Sequence, residues 1–368
     1  MRLLSCLLLV LATTACTQDS MSTPVSEEDR LSELGVFGVG FRREELTYTA
    51  PESSEPRVIE VAAWYPTAAR GDANVRYSFR ASGVALLDAE PEEGPFPTVV
   101  FSHGNQALND VSSFLMEHLA SHGWLVLAPN HTGNTSRDRL RGDRPTSLLY
   151  LPAKDVSHVL DHYSSDLQAL VGETVIVLGH SFGGYNTFSL AGATYSIDAL
   201  IEACAAGTAR DDYCAELTPE AIAIFREGLR DSRIDAIVAM AGGNADLFSP
   251  DGIGDIEIPV LQMVAEEDGH PAGSQDENAY WPNLRATPRT YINFLTGGHN
   301  NFTDACLSPL PLRCGMDVDA EEMQRLVKFF TLAFMQDRLP ENVDNLSPLE
   351  SYMPPAWVEI YRSAAMGP

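Results

Sequence analysis

One pentapeptide in this chain of 368 residues has the residue types and spacing of a nucleophile: Gly179-His180-Ser181-Phe182-Gly183, directly after the apolar run Thr174 to Leu178 and ahead of a segment with helical character. A Gly-x-Ser-x-Gly turn between a strand and a helix holds its serine in a strained conformation, with the hydroxyl lifted above the sheet. Side chains at 179 and 183 would collide with the adjoining strand and helix in so tight a reversal, and Gly184 adds clearance. Ser181 is the candidate nucleophile.

A serine hydroxyl stays protonated at neutral pH, so Ser181 requires a histidine within hydrogen-bond reach and a carboxylate to orient that histidine. A nucleophile in such a turn takes both partners from loops after later strands, acid before histidine. Of nine histidines only His270 and His299 follow Ser181. His299 sits in Thr296-Gly297-Gly298-His299-Asn300-Asn301-Phe302, where two glycines let the loop turn the imidazole back, and it is the expected base. His270, beside Asp268 and Pro271, is the weaker alternative. The expected acid is Asp268, the last of three consecutive carboxylates in Ala265-Glu266-Glu267-Asp268-Gly269, because a short carboxylate before a glycine suits a turn that aims it inward. Glu267 and Asp246 are the alternatives.

A tetrahedral oxyanion needs donors already in place. The N–H of Phe182, at the positive end of its helix, is one expected donor. The second is expected from His103-Gly104-Asn105-Gln106, with Asn105 supplying the N–H. His103 and His180, which flank these loops, read as structural or hydrogen-bonding residues.

The elements that must position these groups alternate between β-branched apolar runs and helical segments, the pattern of an α/β fold with a mostly parallel central sheet flanked by helices. Strands are predicted at 58–65, 98–102, 124–129, 174–179, 234–241, 260–264 and 290–294, and helices at 111–122, 154–169, 184–191 and 320–337. A polar, Arg-rich loop, 132–152, is expected over the mouth of the sheet. The excursion 194–235 is expected to form an inserted cap or lid, the domain to run from 45 to 338, and 339–368 to lie along the surface as a tail.

Residues 1–15 resemble an export signal: Met1-Arg2, an apolar run to Ala12 too short to span a bilayer, and small residues before Cys16. Small residues ahead of a cysteine resemble a lipobox, so Cys16 is expected to carry lipid, with the polar residues that follow, up to 44, forming a tether and lead-in. The protein is thus expected to be exported and held at the cell envelope or secreted. Cys204, Cys214, Cys306 and Cys314 are an even set in an exported chain, and local pairs are the natural reading. A net charge of −27 opposes binding to nucleic acid or anionic lipid headgroups. The pairs His118/His122 and His158/His162 have i, i+4 spacing but lack the glutamate of H-E-x-x-H, and solvent-exposed helix faces are expected for both. Neither a metal nor a cofactor is expected.

Val99-Val100-Phe101-Ser102-His103-Gly104, the Ser181 turn with Gly184, His299-x-Asn301-Phe302 and Trp64-Tyr65-Pro66 resemble the α/β-hydrolase branch that includes platelet-activating-factor acetylhydrolases, dienelactone-hydrolase-like proteins and bacterial polyester hydrolases. The resemblance covers about 58 to 337. It implies a cofactor-free serine esterase with Ser181, His299 and an acid as triad and Phe182 and Asn105 as oxyanion donors. The acetylhydrolases carry the acid after an earlier strand, where this chain reads Ala239-Met240-Ala241-Gly242-Gly243, so Asp268 follows the polyester-hydrolase placement. Dienelactone hydrolases proper use cysteine where this chain has Ser181. Short-acyl or lipid-like esters are the expected substrates, a polyester the alternative, and a catalytically silent ligand-binding protein the alternative of another kind.

Overall fold

The computed structural model describes residues 26–50, 55–138, 146–162, 169–209, 211–215, 217–267, 279–285, 288–308, 313–315, 317–342 and 347–363. Ten strands form one sheet: β1 (Gly38–Thr49), β2 (Pro56–Thr67), β3 (Ala85–Leu87), β4 (Phe96–Ser102), β5 (Leu125–Pro129), β6 (Val171–His180), β7 (Ala236–Met240), β8 (Val260–Ala265), β9 (Arg289–Phe294) and β10 (Val358–Ser363). Their order is β10-β9-β8-β7-β6-β4-β5-β2-β1-β3. The run from β5 to β9 is parallel throughout, while β2 and β10 join its two ends antiparallel.

A parallel sheet flanked by helices is buried on both faces, so its strands are apolar at consecutive positions. Val99 and Phe101 of β4, Ile176 and Leu178 of β6 and Val238 and Met240 of β7 enter one core, while Val100, Val177, Ile237 and Ala239 enter the other. The first core is closed by α2 (Ser113–Ser121) and α9 (Ala320–Gln336). The second is closed by α3 (Leu151–His162) and α4 (Phe182–Ala191).

All seven predicted strands are present, with ends displaced by a few residues. The sheet runs past the bounds 45 and 338 at both ends, through the first residues of β1 and through β10. β1 alternates along much of its length, the signature of a strand with one wetted face, which a search for continuous apolar runs passes over. The segment read as a tether holds α1 (Glu27–Ser32), capped by the Ser26 side chain, which accepts from the Asp29 N–H. Leu31 of α1 is fully buried and Glu28 pairs with Arg325 of α9. This cover corrects the expectation for His118, which is completely buried rather than solvent-exposed. Its ring stands 4.6 Å from that of the half-buried His122. His158, also half-buried, stacks on Tyr48 at 4.2 Å. Among the described residues no group of side chains is arranged to hold a metal ion.

The excursion 194–235 forms α5 (Ile197–Ala206), α6 (Asp211–Cys214) and α7 (Pro219–Glu227), and the short α8 (Pro250–Gly254) follows β7. It packs on the second core through Tyr195, whose ring meets Phe225 at 4.8 Å and Phe248 at 4.7 Å. Cys204 is bonded to Cys214 within it, and Cys306 to Cys314 beyond β9. Residues 1–25, including Cys16, lie outside the described residues, and none of the described helices is long and apolar enough to cross a membrane.

The Cys306–Cys314 bond closes a loop with a sequence separation of 8. Chain entropy over such a loop gives about 2.5 kcal/mol of stabilisation. Replacing both cysteines by serine is expected to lower the free energy of unfolding by about that amount, read as a shift in the urea midpoint at unchanged slope.

Candidate active site

β6 ends at His180 and α4 begins at Phe182, so Ser181 alone turns the chain, at φ 56° and ψ −116°. That conformation is unfavourable for a residue with a side chain and persists only where surroundings fix it. Here the Ser181 N–H donates to the Met240 carbonyl at 2.8 Å, tying the turn to the end of β7. The flanking glycines are obligatory on contact grounds. A Cβ at Gly179 would lie 2.1 Å from the Gly183 carbonyl oxygen, and one at Gly183 would lie 1.8 Å from the Ser102 carbonyl oxygen. Gly184 meets Gly242 in the same way, at 2.7 Å from its Cα.

His299 is brought to this turn from 118 residues away: its Nε2 is 2.8 Å from Ser181 Oγ. Gly297, at φ 95°, provides the reversal that delivers it. Asn301, fully buried, fixes the loop by accepting at Oδ1 from the N–H groups of Gly298 (2.8 Å) and Gly315 (3.0 Å). α9 holds the far side, where Gln324 donates to the Thr303 carbonyl at 2.9 Å. His180 closes the assembly, its Nε2–H donating to the His299 carbonyl at 2.9 Å. The residue before the nucleophile thus anchors the backbone of the base.

The chain after β4 passes through Gly104 and Asn105 against the same turn; a Cβ on Gly104 would stand 3.1 Å from Ser181 Cβ. The Gly104 carbonyl accepts from His103 Nδ1 at 2.8 Å and from the Ala107 N–H at 3.1 Å. Phe182 begins α4, so its N–H stands in the first turn, which has no intrahelical acceptor. Between these backbones and His299 lies a cavity of about 430 Å³. Phe79, Leu108, Val111 and Ala305 supply its apolar wall, and Ser136 and Arg313 reach it from the polar side. None of its described lining residues comes from 194–235, whose described part packs on a face of the sheet. Phe79 stands on a short hairpin closed by the Arg76–Ala81 bridge, and Arg80 pins that hairpin to Glu117 and Asp304. No local pattern around Phe79 or Arg313 marks them as lining a site, because only tertiary packing brings the hairpin and the disulfide loop to Ser181.

Asp268 and His270 lie outside the described residues. The chain leading to 268 is fixed: the Glu266 N–H donates to the Phe294 carbonyl at 2.9 Å and the Glu267 N–H to the Gly297 carbonyl at 3.1 Å. The strand end that precedes 268 therefore runs beside the loop that carries His299. Glu266 accepts from Asn293, and Glu267 is exposed. Asp246 is exposed and accepts from the Tyr213 hydroxyl at 2.9 Å, a bond directed into the helical insertion.

A family model described as Chlorophyllase matches residues 72–221, which include the Gly104 loop and the Ser181 turn and stop short of His299. Chlorophyllase type 0 of Chenopodium album is 28% identical over 122 residues, 32% of this chain and 34% of that protein. Chlorophyllase-1, chloroplastic, of Citrus unshiu is 28% identical over 123 residues, again 32% and 34%. The match spans about a third of the length of these curated relatives. A ferulic acid esterase from Streptomyces cinnamoneus superposes with a TM-score of 0.64 at 22% identity, covering 88% of this chain and 96% of that one.

Burial dominates the electrostatics under the site. His103 is pushed down to about 3, and His118 and His131 are also held below the ordinary 6.5, because a buried imidazolium loses its hydration. Asp304 is pushed up to about 6 by the same desolvation. The signs oppose. As pH falls below 6.5 the unfolded chain protonates these histidines ahead of the folded protein, so stability falls. The folded protein protonates Asp304 before the unfolded chain does, which returns the equivalent of one proton. Stability is expected to drop as pH falls from 6.5 toward 4, because three depressed histidines outweigh the one raised carboxylate. Urea midpoints measured across that range check the sign.

Proposed function

We propose that this chain, which has the α/β-hydrolase fold, is a serine hydrolase of carboxylic esters. The observation that carries the reading is the 2.8 Å contact between Ser181 Oγ and His299 Nε2, made at a strained turn that opens onto a cavity. Supporting it, the named chlorophyllases and the ferulic acid esterase are enzymes, the latter an esterase by name.

In the proposed reaction Ser181 Oγ attacks the ester carbonyl as His299 Nε2 takes its proton. Negative charge developing on the carbonyl oxygen meets the N–H groups of Phe182 and Asn105. The imidazolium then protonates the leaving alcohol, and water, activated by the same nitrogen, releases the acid from the acyl enzyme. Asp268 accepts from His299 Nδ1–H and stabilises the imidazolium. The course of the backbone through Glu266 and Glu267 toward the His299 loop supports Asp268 over Asp246.

A cavity of about 430 Å³ with a mainly apolar wall suits an ester with a short or medium acyl chain or a compact aromatic acid. A polymer would need a longer groove, and Phe79 is the only Phe, Tyr or Trp among the described lining residues. The two disulfides favour an oxidising compartment, in keeping with an exported protein anchored through Cys16.

Ser181→Ala is expected to abolish hydrolysis of p-nitrophenyl butyrate and labelling by a fluorophosphonate while the circular dichroism spectrum is unchanged. Turnover retained in that variant, or a wild-type serine inert to fluorophosphonate, would overturn the reading in favour of a silent binding protein. Asp268→Asn is expected to lower kcat by about 10³- to 10⁴-fold, with Glu267→Gln close to wild type. The reverse ranking would move the acid to Glu267.

A further inference from the structure

The molecule contains a second Ser-His-Asp set. Ser102 Oγ is 2.9 Å from His131 Nε2, and His131 Nδ1 is 3.0 Å from Asp155 Oδ2. All three residues are completely buried, so no substrate reaches Ser102 and the set is not another catalytic centre. Its surroundings indicate a different use.

Both oxygens of Asp155 are fully engaged. Oδ1 accepts from the Tyr48 hydroxyl at 2.7 Å and from Arg57 Nε at 2.7 Å, and Oδ2 accepts from Arg57 at 2.8 Å as well as from His131. Arg57 and His131 hold Asp155 ionised against the cost of its burial. An ionised carboxylate only accepts, so the His131 proton is on Nδ1 and Nε2 offers a lone pair. Ser102 Oγ–H donates to that lone pair and accepts in turn from Asn186 Nδ2 at 3.1 Å. Every hydrogen bond in the set has one allowed direction.

His131 grips the chain twice. Its ring holds the side chain of Ser102, the last residue of β4, and its backbone N–H donates to His103 Nε2 at 3.0 Å. That second bond places the His103 proton on Nδ1, from which it donates to the Gly104 carbonyl. In a trans peptide the C=O and the following N–H point in opposite directions. Pinning the Gly104 carbonyl to His103 therefore fixes the direction of the Asn105 N–H.

We infer that His131, held by Asp155 and Arg57, is a positioning residue for the oxyanion hole, acting through Ser102 and His103 to set the Gly104–Asn105 peptide. The inference rests on the esterase reading for its kinetic consequence but not for its structural one. Neutral, buried imidazoles at 103 and 131 are what the chain of bonds requires, and burial keeps both neutral through the physiological range.

The test compares His131→Gln, His131→Asn and Ser102→Ala with wild type. His131→Gln removes the donor aligned on Asp155, whereas His131→Asn keeps a donor near the position of Nδ1. In His131→Gln, kcat for p-nitrophenyl butyrate is expected to fall about 100-fold, the scale of losing one oxyanion donor, with KM within about twofold. His131→Asn should recover about a tenth of wild-type kcat, and Ser102→Ala should lose about tenfold, each as a partial displacement of one donor. A crystal structure of each folded variant should show the Gly104–Asn105 peptide rotated in step with the loss. A peptide left in place, or losses confined to thermal stability with kcat per folded molecule unchanged, would overturn the inference. Should His131→Gln fail to fold, Ser102→Ala carries the same two readouts. An inactive wild type would refute the esterase reading, and the peptide orientations would still decide the role of His131.

Discussion

The closeness of the Ser181 turn to the end of β4 governs the rest of the site. A glycine at 183 lets α4 start within contact of the Ser102 carbonyl, and no other side chain fits there. α4, which starts at Phe182, and the β4 loop, which carries Asn105, meet at that contact. The strained φ of Ser181 is sustained by the same junction and by its bond to Met240.

The remaining parts are delivered to that junction by different physical means. His299 arrives on a loop stitched by backbone hydrogen bonds to Asn301 and backed by α9, and the Cys306–Cys314 bond restrains the chain just beyond it. The Phe79 hairpin is held by the charges of Arg80, Glu117 and Asp304. The Gly104 loop hangs on a buried polar network centred on His131. Buried charge is costly unless paired and fully hydrogen-bonded, and Asp155 is paired with Arg57 and accepts at both oxygens. Such a network adds little net stability compared with an apolar core of equal volume, so its value lies in fixing direction.

Much of the fold was legible because the sheet is parallel and buried on both faces, which writes each central strand as a continuous apolar run ending at a turn. The seven predicted strands are of that kind or close to it. β1 and β10 escaped because they alternate or lie at an edge, and α1 because a six-residue helix has no period to detect. His118 was misread as exposed although Phe114 and Leu115 lie one turn before it, because part of its cover comes from Leu31, far away in sequence. The side of the sheet on which 194–235 packs was not legible, since it depends on the partners that Tyr195 meets from other segments.

By itself the sequence offered Ser181, Phe182 and Asn105 as candidates and made His299 the expected base, because turn sterics and chain order act locally and leave few alternatives. Proximity favoured local disulfides, and the structure pairs Cys204 with Cys214 and Cys306 with Cys314. Only the tertiary structure decided that Phe79, Ser136 and Arg313 face the cavity, and that His131 and Asp155 stand behind the oxyanion loop. Those residues are drawn from separate elements, and their meeting depends on sheet order and on which face each helix covers. Hydrogen-bond direction, which makes His131 more than a core histidine, exists only once Ser102, Asp155 and His103 are all in place around it.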